Sequence, residues 1–189
     1  MKYFFKHLHT VNNHRWEVFK LSIKVGIPFQ GLLHDLSKYS YTEFSESVKY
    51  YKIAEGKYSP LVACKKDIGY SKAWLHHKGR NKHHYEYWYD IAAPTPMPII
   101  PFKYMLEMVC DRIAASKTYN KGHYNDKMPL EYFYKEEPKM TLNDNLKKFL
   151  EEVFIKLSKE GEKFLSKKNI LKIYKKYTKK IKWFNKSFF

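Results

Sequence analysis

Apolar residues recur at helical spacing along most of this chain. Phe4, Leu8, Val11, Val18, Leu21 and Val25 stand three, four or seven apart, which predicts a helix from about Tyr3 to Val25. His14 falls in the same stripe, between Val11 and Val18. Gly26-Ile27-Pro28 stops this helix, because Gly takes a left-handed cap and Pro restarts the chain at a first-turn position. A second helix is expected from about Pro28 to Lys38, and it carries His34-Asp35. Ser40 with Glu43 three residues on reads as a capping box that opens a third helix running to about Ala54. Glu55 to Pro60 reads as a loop. A fourth helix is expected from Pro60, with Leu61, Cys64, Ile68, Ser71 and Leu75 on one face, running into the histidine-rich stretch Trp74–His84.

Gly79 and Asn81 separate two histidine doublets and predict a turn there. Tyr85, Tyr87, Trp88 and Tyr89 follow as an aromatic wall. Pro94, Pro96, Pro98 and Pro101 mark an extended linker without helix. Met105, Met108, Val109 and Ile113 then give the buried face of a helix from about Phe102 to Tyr119. Asn120 to Met140 reads as irregular loop. Leu146, Phe149, Leu150, Val153 and Leu157 predict a structural helix over Leu142–Leu157. No segment alternates as a strand does, so the expected class is all-α, with six or seven helices. Residues 1–160 form one helical bundle and residues 161–189 a basic amphipathic extension. The stripe Ile170, Tyr174, Tyr177, Ile181, Phe184 and Phe188, with lysines between, predicts a C-terminal helix docked by its aromatic face on the bundle.

Composition narrows the picture. The chain has 189 residues, 44% of them hydrophobic, enough for one domain with a sizeable core. Cys64 and Cys110 make neither a disulfide framework nor a zinc ribbon, and a cytoplasmic, reducing setting is expected. No signal peptide opens the chain, and no apolar run is long enough to span a bilayer. Net charge is +17; residues 161–189 hold ten Lys against Glu162 alone, a balance of +9, and the other 160 residues carry +8. A basic body favours an anionic, phosphate-containing small-molecule substrate, and the more basic end could meet nucleic acid or an anionic membrane. The aromatic-rich surface suits a homodimer. A Gly-rich phosphate loop is absent, as is any Ser-His or Cys-His spacing of a nucleophile motif.

The chemistry lies in the histidines. Four of the nine fall within residues 76–84. His14, His34-Asp35, His76 or His77, His83 or His84, and Asp111 come from four or five segments, and a metal site needs ligands from elements that can converge. Imidazole nitrogen with carboxylate oxygen suits Mn, Fe, Co or Zn, one or two ions per chain, and Asp35 could bridge two. Lys38, about one turn after Asp35, could hold an anion beside the metal. Arg80 and Lys82, next to the doublets, could hold the rest of such a substrate. A carboxylate among apolar positions, as at Asp111, is costly unless paired or metal-bound. Glu43 and Glu107 could orient a ligand imidazole through its second nitrogen.

The order His … His-Asp … His … His … Asp resembles the HD-domain superfamily of metal-dependent phosphohydrolases, in the variety with extra histidines for a second ion. His34-Asp35-Leu36-Ser37-Lys38 is similar to the His-Asp-x-x-Lys of many members. With His14-Arg-Trp-Glu-Val18, Asn81-Lys-His83-His84-Tyr-Glu-Tyr-Trp88 and Glu107-Met-Val-Cys-Asp111, it also resembles a bacterial and phage family of this layout, over about residues 8–120. The resemblance implies a helical bundle with the ions at its centre. His14, His34, Asp35 and Asp111 would be core ligands, and His77 and His83 would complete a second ion, with His76 and His84 fitting nearly as well. It implies hydrolysis of a nucleotide or other phosphate ester, with Asp35 and Lys38 at the reacting centre. Two other classes meet the same residues: a mixed-valent di-iron oxygenase on this fold, and a non-enzymatic basic protein with a structural metal site that binds nucleic acid or membrane.

Overall fold

The first helix is long because nothing interrupts its stripe until Gly26. In the computed structural model, which describes residues 2–54, 59–120 and 122–179, α1 runs Lys2–Lys24 and buries Val11, His14, Val18 and Leu21 on one face. Phe4 was expected on that face. It is exposed instead, and its ring meets Phe5 and Phe44 edge-on at the protein surface. Gly26, at φ 76, turns the chain back. Helix α2 is short, Pro28–Leu33, and lies against α1 through Gly31, where a Cβ would come within 2.3 Å of the Ser22 side chain.

α2 does not continue to Lys38 as the sequence predicts. It stops at Leu33, and a 3-10 turn takes up at Leu36–Tyr39. α3 (Tyr41–Ala54) starts where the capping pattern placed it, but the box is half-formed. Ser40 Oγ accepts from the Glu43 N–H at 3.4 Å, while the Glu43 carboxylate turns inward to two histidines. The expected fourth helix is two helices, α4 (Pro60–Ile68) and α5 (Lys72–Lys78). Gly69 at φ 83 closes the first, and the Ser71 hydroxyl accepts from Trp74 N–H to open the second. The predicted common face is therefore broken: Cys64 and Ser71 are buried while Ile68 and Leu75 are exposed. Of the loop expected before α4, residues 55–58 lie outside the described residues.

The Pro-rich linker carries no helix, and α6 spans Phe102–Tyr119 as expected. α6 is the axis of the molecule. It buries Met105 through Cys110 without a break, then Ile113 and Ala114, which a helix does only when covered on all sides. Asn120–Met140 is not all loop. α7 occupies Met128–Glu136, with Pro129 in its first turn and Phe133 sunk in the core. α8 (Asp144–Glu160) buries the predicted stripe, and α9 (Lys167–Thr178) docks beside it. Nine α-helices and no strand are thus present among the described residues. The fold is all-α.

One core joins the two ends of the chain. Val18 and Leu21 of α1, and Val25 just after it, share it with α6, α8 and the C-terminal residues Phe164, Leu165, Ile170 and Ile173. Tyr174 donates to the Ile100 carbonyl at 2.8 Å and Tyr177 to Glu152 at 2.6 Å, so the described part of the C-terminal stripe faces the bundle. Ile181, Phe184 and Phe188 lie outside the described residues. Among the described residues no helix is long and apolar enough to cross a membrane.

Candidate metal centre

The centre begins with a backbone exception. Asp35 sits at φ 55 and ψ 27, and among the described residues it is the one non-glycine residue with positive φ. Asp is one of the few side chains that visit this region. The reversal turns two consecutive side chains inward together, where a continuous helix would splay them about 100° apart. His34 and Asp35 are each 1% exposed. Arg15, one residue after His14 on α1, holds the reversal from outside. Its Nε donates to the His34 carbonyl at 2.8 Å and its Nη2 to the Leu32 carbonyl at 2.7 Å. Its Nη1 donates to the Tyr39 hydroxyl, which donates in turn to Asn12.

Five elements then converge on the Asp35 carboxylate. Its Oδ2 lies 3.0 Å from His34 Nε2 and 3.7 Å from His14 Nε2. Its Oδ1 lies 3.3 Å from His77 Nε2, at the end of α5, and 3.4 Å from His83 Nε2 in the following turn. Asp111 on α6 completes the first side, its Oδ1 at 3.0 Å from His14 Nε2 and 3.4 Å from His34 Nε2. Two buried carboxylates outside this ring set the tautomers. Glu107 accepts from His34 Nδ1 at 2.9 Å and lies 3.2 Å from His83 Nδ1. Glu43 accepts from His77 Nδ1 at 2.8 Å and from His76 Nδ1 at 2.7 Å. With Nδ1 as the donor, the Nε2 atoms of His34, His77 and His83 face Asp35, and against burial Asp35, Asp111 and Glu107 draw a proton onto His34.

The Nε2 atoms of His14, His34, His83 and His84 and both oxygens of Asp35 are buried without a hydrogen-bond partner, although the Lys38 ammonium stands beside Asp35 Oδ2. Buried polar atoms are almost always paired, and a cation in their midst would pair them. Burial alone would push the Asp35 carboxyl up, but His34, Lys38 and His77 hold it well below the usual carboxylate range. Asp111 is likewise held down against burial by His14 and His34, and Glu107 at about 2 by His34 and His83. All three are ionised and ready to bind or orient. Two sets of ligand atoms, His14-His34-Asp35-Asp111 and Asp35-His77-His83-His84, each gather within 4.8 Å. A third grouping, His34-His83-Glu107, is the hydrogen-bonded clasp just described. These buried groups could hold a divalent metal ion.

The six ligands expected from the sequence thus lie together. Of the doublets, His77 turns inward and His76 outward to Glu43, whereas His83 and His84 both face the cluster. Lys38 Nζ is 2.5 Å from Asp35 Oδ2, and its side chain is 27% exposed, so the cluster opens to solvent on this side. Arg80 is exposed, and Lys82 reaches over the rings of Tyr87 and Tyr104. The Arg80 N–H donates to the His77 carbonyl at 3.2 Å, but among the described residues no ion pair joins either side chain to the cluster. Three supporting residues were not legible in the sequence: Arg15; Gln30, whose amide donates to Glu107; and Asn81, whose amide donates to Ser37 Oγ and the His77 carbonyl. Arg15 and Asn81 do stand beside ligand histidines, the one signal that could have found them.

Residues 3–156 match the model of a family of unknown function, DUF5662. The chain belongs to this family. The DUF5662 match takes in every residue of the cluster and ends within α8, short of α9. No curated protein and no solved structure matches the chain.

Proposed function

We propose that this protein is a metal-dependent phosphohydrolase of the HD-domain kind, with two divalent ions per chain, acting on a nucleotide or other phosphate ester. The observation that carries this reading is the division of the Asp35 carboxylate: Oδ2 faces His14 and His34, and Oδ1 faces His77 and His83. A carboxylate so placed suits a bridge between two ions. His14, His34 and Asp111 would serve one, and His77 and His83 the other. Bound there, such a pair supplies a hydroxide nucleophile near neutral pH and offsets charge on phosphoryl oxygens.

The chain's own residues support the rest. Glu107 and Glu43 keep the imidazoles in the tautomer that presents Nε2 inward. Lys38 stands at the solvent side of Asp35, where its ammonium could hold a non-bridging phosphoryl oxygen. Asp35, and after it Asp111, hold Lys38 protonated against burial. A net charge of +17 draws anionic substrates toward this opening.

The test is metal content and phosphate release together. Protein purified without chelator is expected to carry about two ions per chain, lost in His34→Ala/Asp35→Ala, and to release phosphate from a panel of nucleotides and phosphate esters without O₂. One ion would point to a mononuclear hydrolase. Turnover that demands iron and O₂ would move the protein to the oxygenase class. No metal, with folding unchanged in the double variant, would overturn the enzymatic reading.

A further inference from the structure

His84 has no part in the scheme above, yet its surroundings are those of a ligand. Its Nε2 is buried and unpartnered. Its ring centroid lies 4.3 Å from that of His83 and 4.8 Å from that of His77. Trp74 packs against it edge-on at 5.1 Å. Two consecutive residues converge here because the doublet lies in a turn: the His84 N–H donates to the Asn81 carbonyl, and its backbone is extended at φ −84 and ψ 130. A histidine that merely fills a core donates or accepts at its buried nitrogen. This one leaves it unpartnered, with its ring against those of His77 and His83.

We propose that His84 is a fourth protein ligand of the ion held by Asp35 Oδ1, His77 and His83. Four ligand atoms around one ion with bonds near 2.1 Å stand about 3.4 Å apart, so a set gathered within 4.8 Å closes on one ion with a contraction of about an ångström. The inference rests on the two-ion reading. It makes the two sites chemically unequal. His14, His34, Asp35 and Asp111 offer two nitrogens and two oxygens, whereas Asp35, His77, His83 and His84 offer three nitrogens and one oxygen. Imidazole suits Zn, Fe or Co, and carboxylate suits Mn or Mg. The three-imidazole site therefore has the stronger preference for the softer ion, and one equivalent of Zn with Mn in excess fills it with Zn first.

Metal-free protein would be titrated with Co(II), following bound metal and the visible absorption bands, in wild type, His84→Gln and, as a control at an exposed histidine, His123→Gln. Wild type and His123→Gln are expected to take two ions with the same spectrum. His84→Gln should bind the second ion at least about tenfold more weakly, with changed visible bands. Should His84→Gln not fold, His84→Asp restores a ligand of harder character; it is expected to keep the second ion and to shift its preference from Zn toward Mn. Two ions at unchanged affinity and spectrum in His84→Gln, or unchanged metal preference in His84→Asp, overturn the assignment of His84 alone. A wild-type chain that takes one ion or none overturns the two-ion reading, and this inference with it.

Discussion

Glu107 holds two imidazoles from different parts of the chain in one orientation, and its own second contact, to Gln30, fixes it against α2. Replacing it with Gln removes the charge that keeps His34 and His83 as Nδ1 donors. Metal affinity is expected to fall about 10–100-fold, read by competition with a chelator, while His123→Ala, at an exposed histidine outside every group of ligand atoms, leaves it unchanged. The membership of the buried cluster was legible because His and Asp carry their chemistry in their identity. Which member of a doublet turns inward was not. His76 and His77 differ by a rotation of about 100° on α5, and only the positions of Asp35 and Glu43 decide between them. The choice between His83 and His84 failed for another reason: a turn lets both face inward, and a helix would not have.

At the scale of elements, the break between α2 and the 3-10 turn is what makes the centre. The run Pro28–Lys38 reads as one helix because its apolar spacing is helical, and no glycine or proline marks the reversal at Asp35. The restraint comes from α1, far in sequence, through Arg15. Arg15→Met should free the Leu32 and His34 carbonyls and cost about 1–3 kcal/mol in denaturant unfolding. Under the proposed two-ion scheme, in which Asp35 is shared, it should weaken both ions together, and equal loss at the two sites is the result that separates this role from packing. Other element errors have local causes. The α4–α5 break was written in Gly69 and Ser71, a cap at each side, but the apolar spacing from Leu61 to Leu75 spans it. α7 escaped notice because its helix buries only Pro129 and Phe133, too few residues to show a period.

For the molecule as a whole, the C-terminal helix belongs to the core. Phe164, Leu165, Ile170 and Ile173 are buried in the same cluster as α1, α6 and α8. A chain ended at Lys163 loses all four, at about 1.5–3 kcal/mol each, a sum comparable with the whole stability of a typical domain. It is expected to unfold at ordinary temperature or to resist proteolysis no longer, and a melt by circular dichroism checks this. The basic amphipathic pattern made docking legible, since Tyr174 and Tyr177 fall on the apolar face. It could not show that α9 reaches the layer that α1 also lines.

Lys24 pairs with Glu162 across 138 residues, and this closure has a consequence for how the protein is made. Synthesis runs from the N-terminus, so every residue of the buried cluster has emerged while Phe164, Leu165, Ile170 and Ile173, which fill the shared core, are still to come. Contacts of such long range are slow to form. Until they do, the part of the core that these residues cover stays open to neighbouring chains, and the growing polypeptide is at its most prone to aggregate. The core is closed late, by the arrival of α9, after the residues of the cluster have been made.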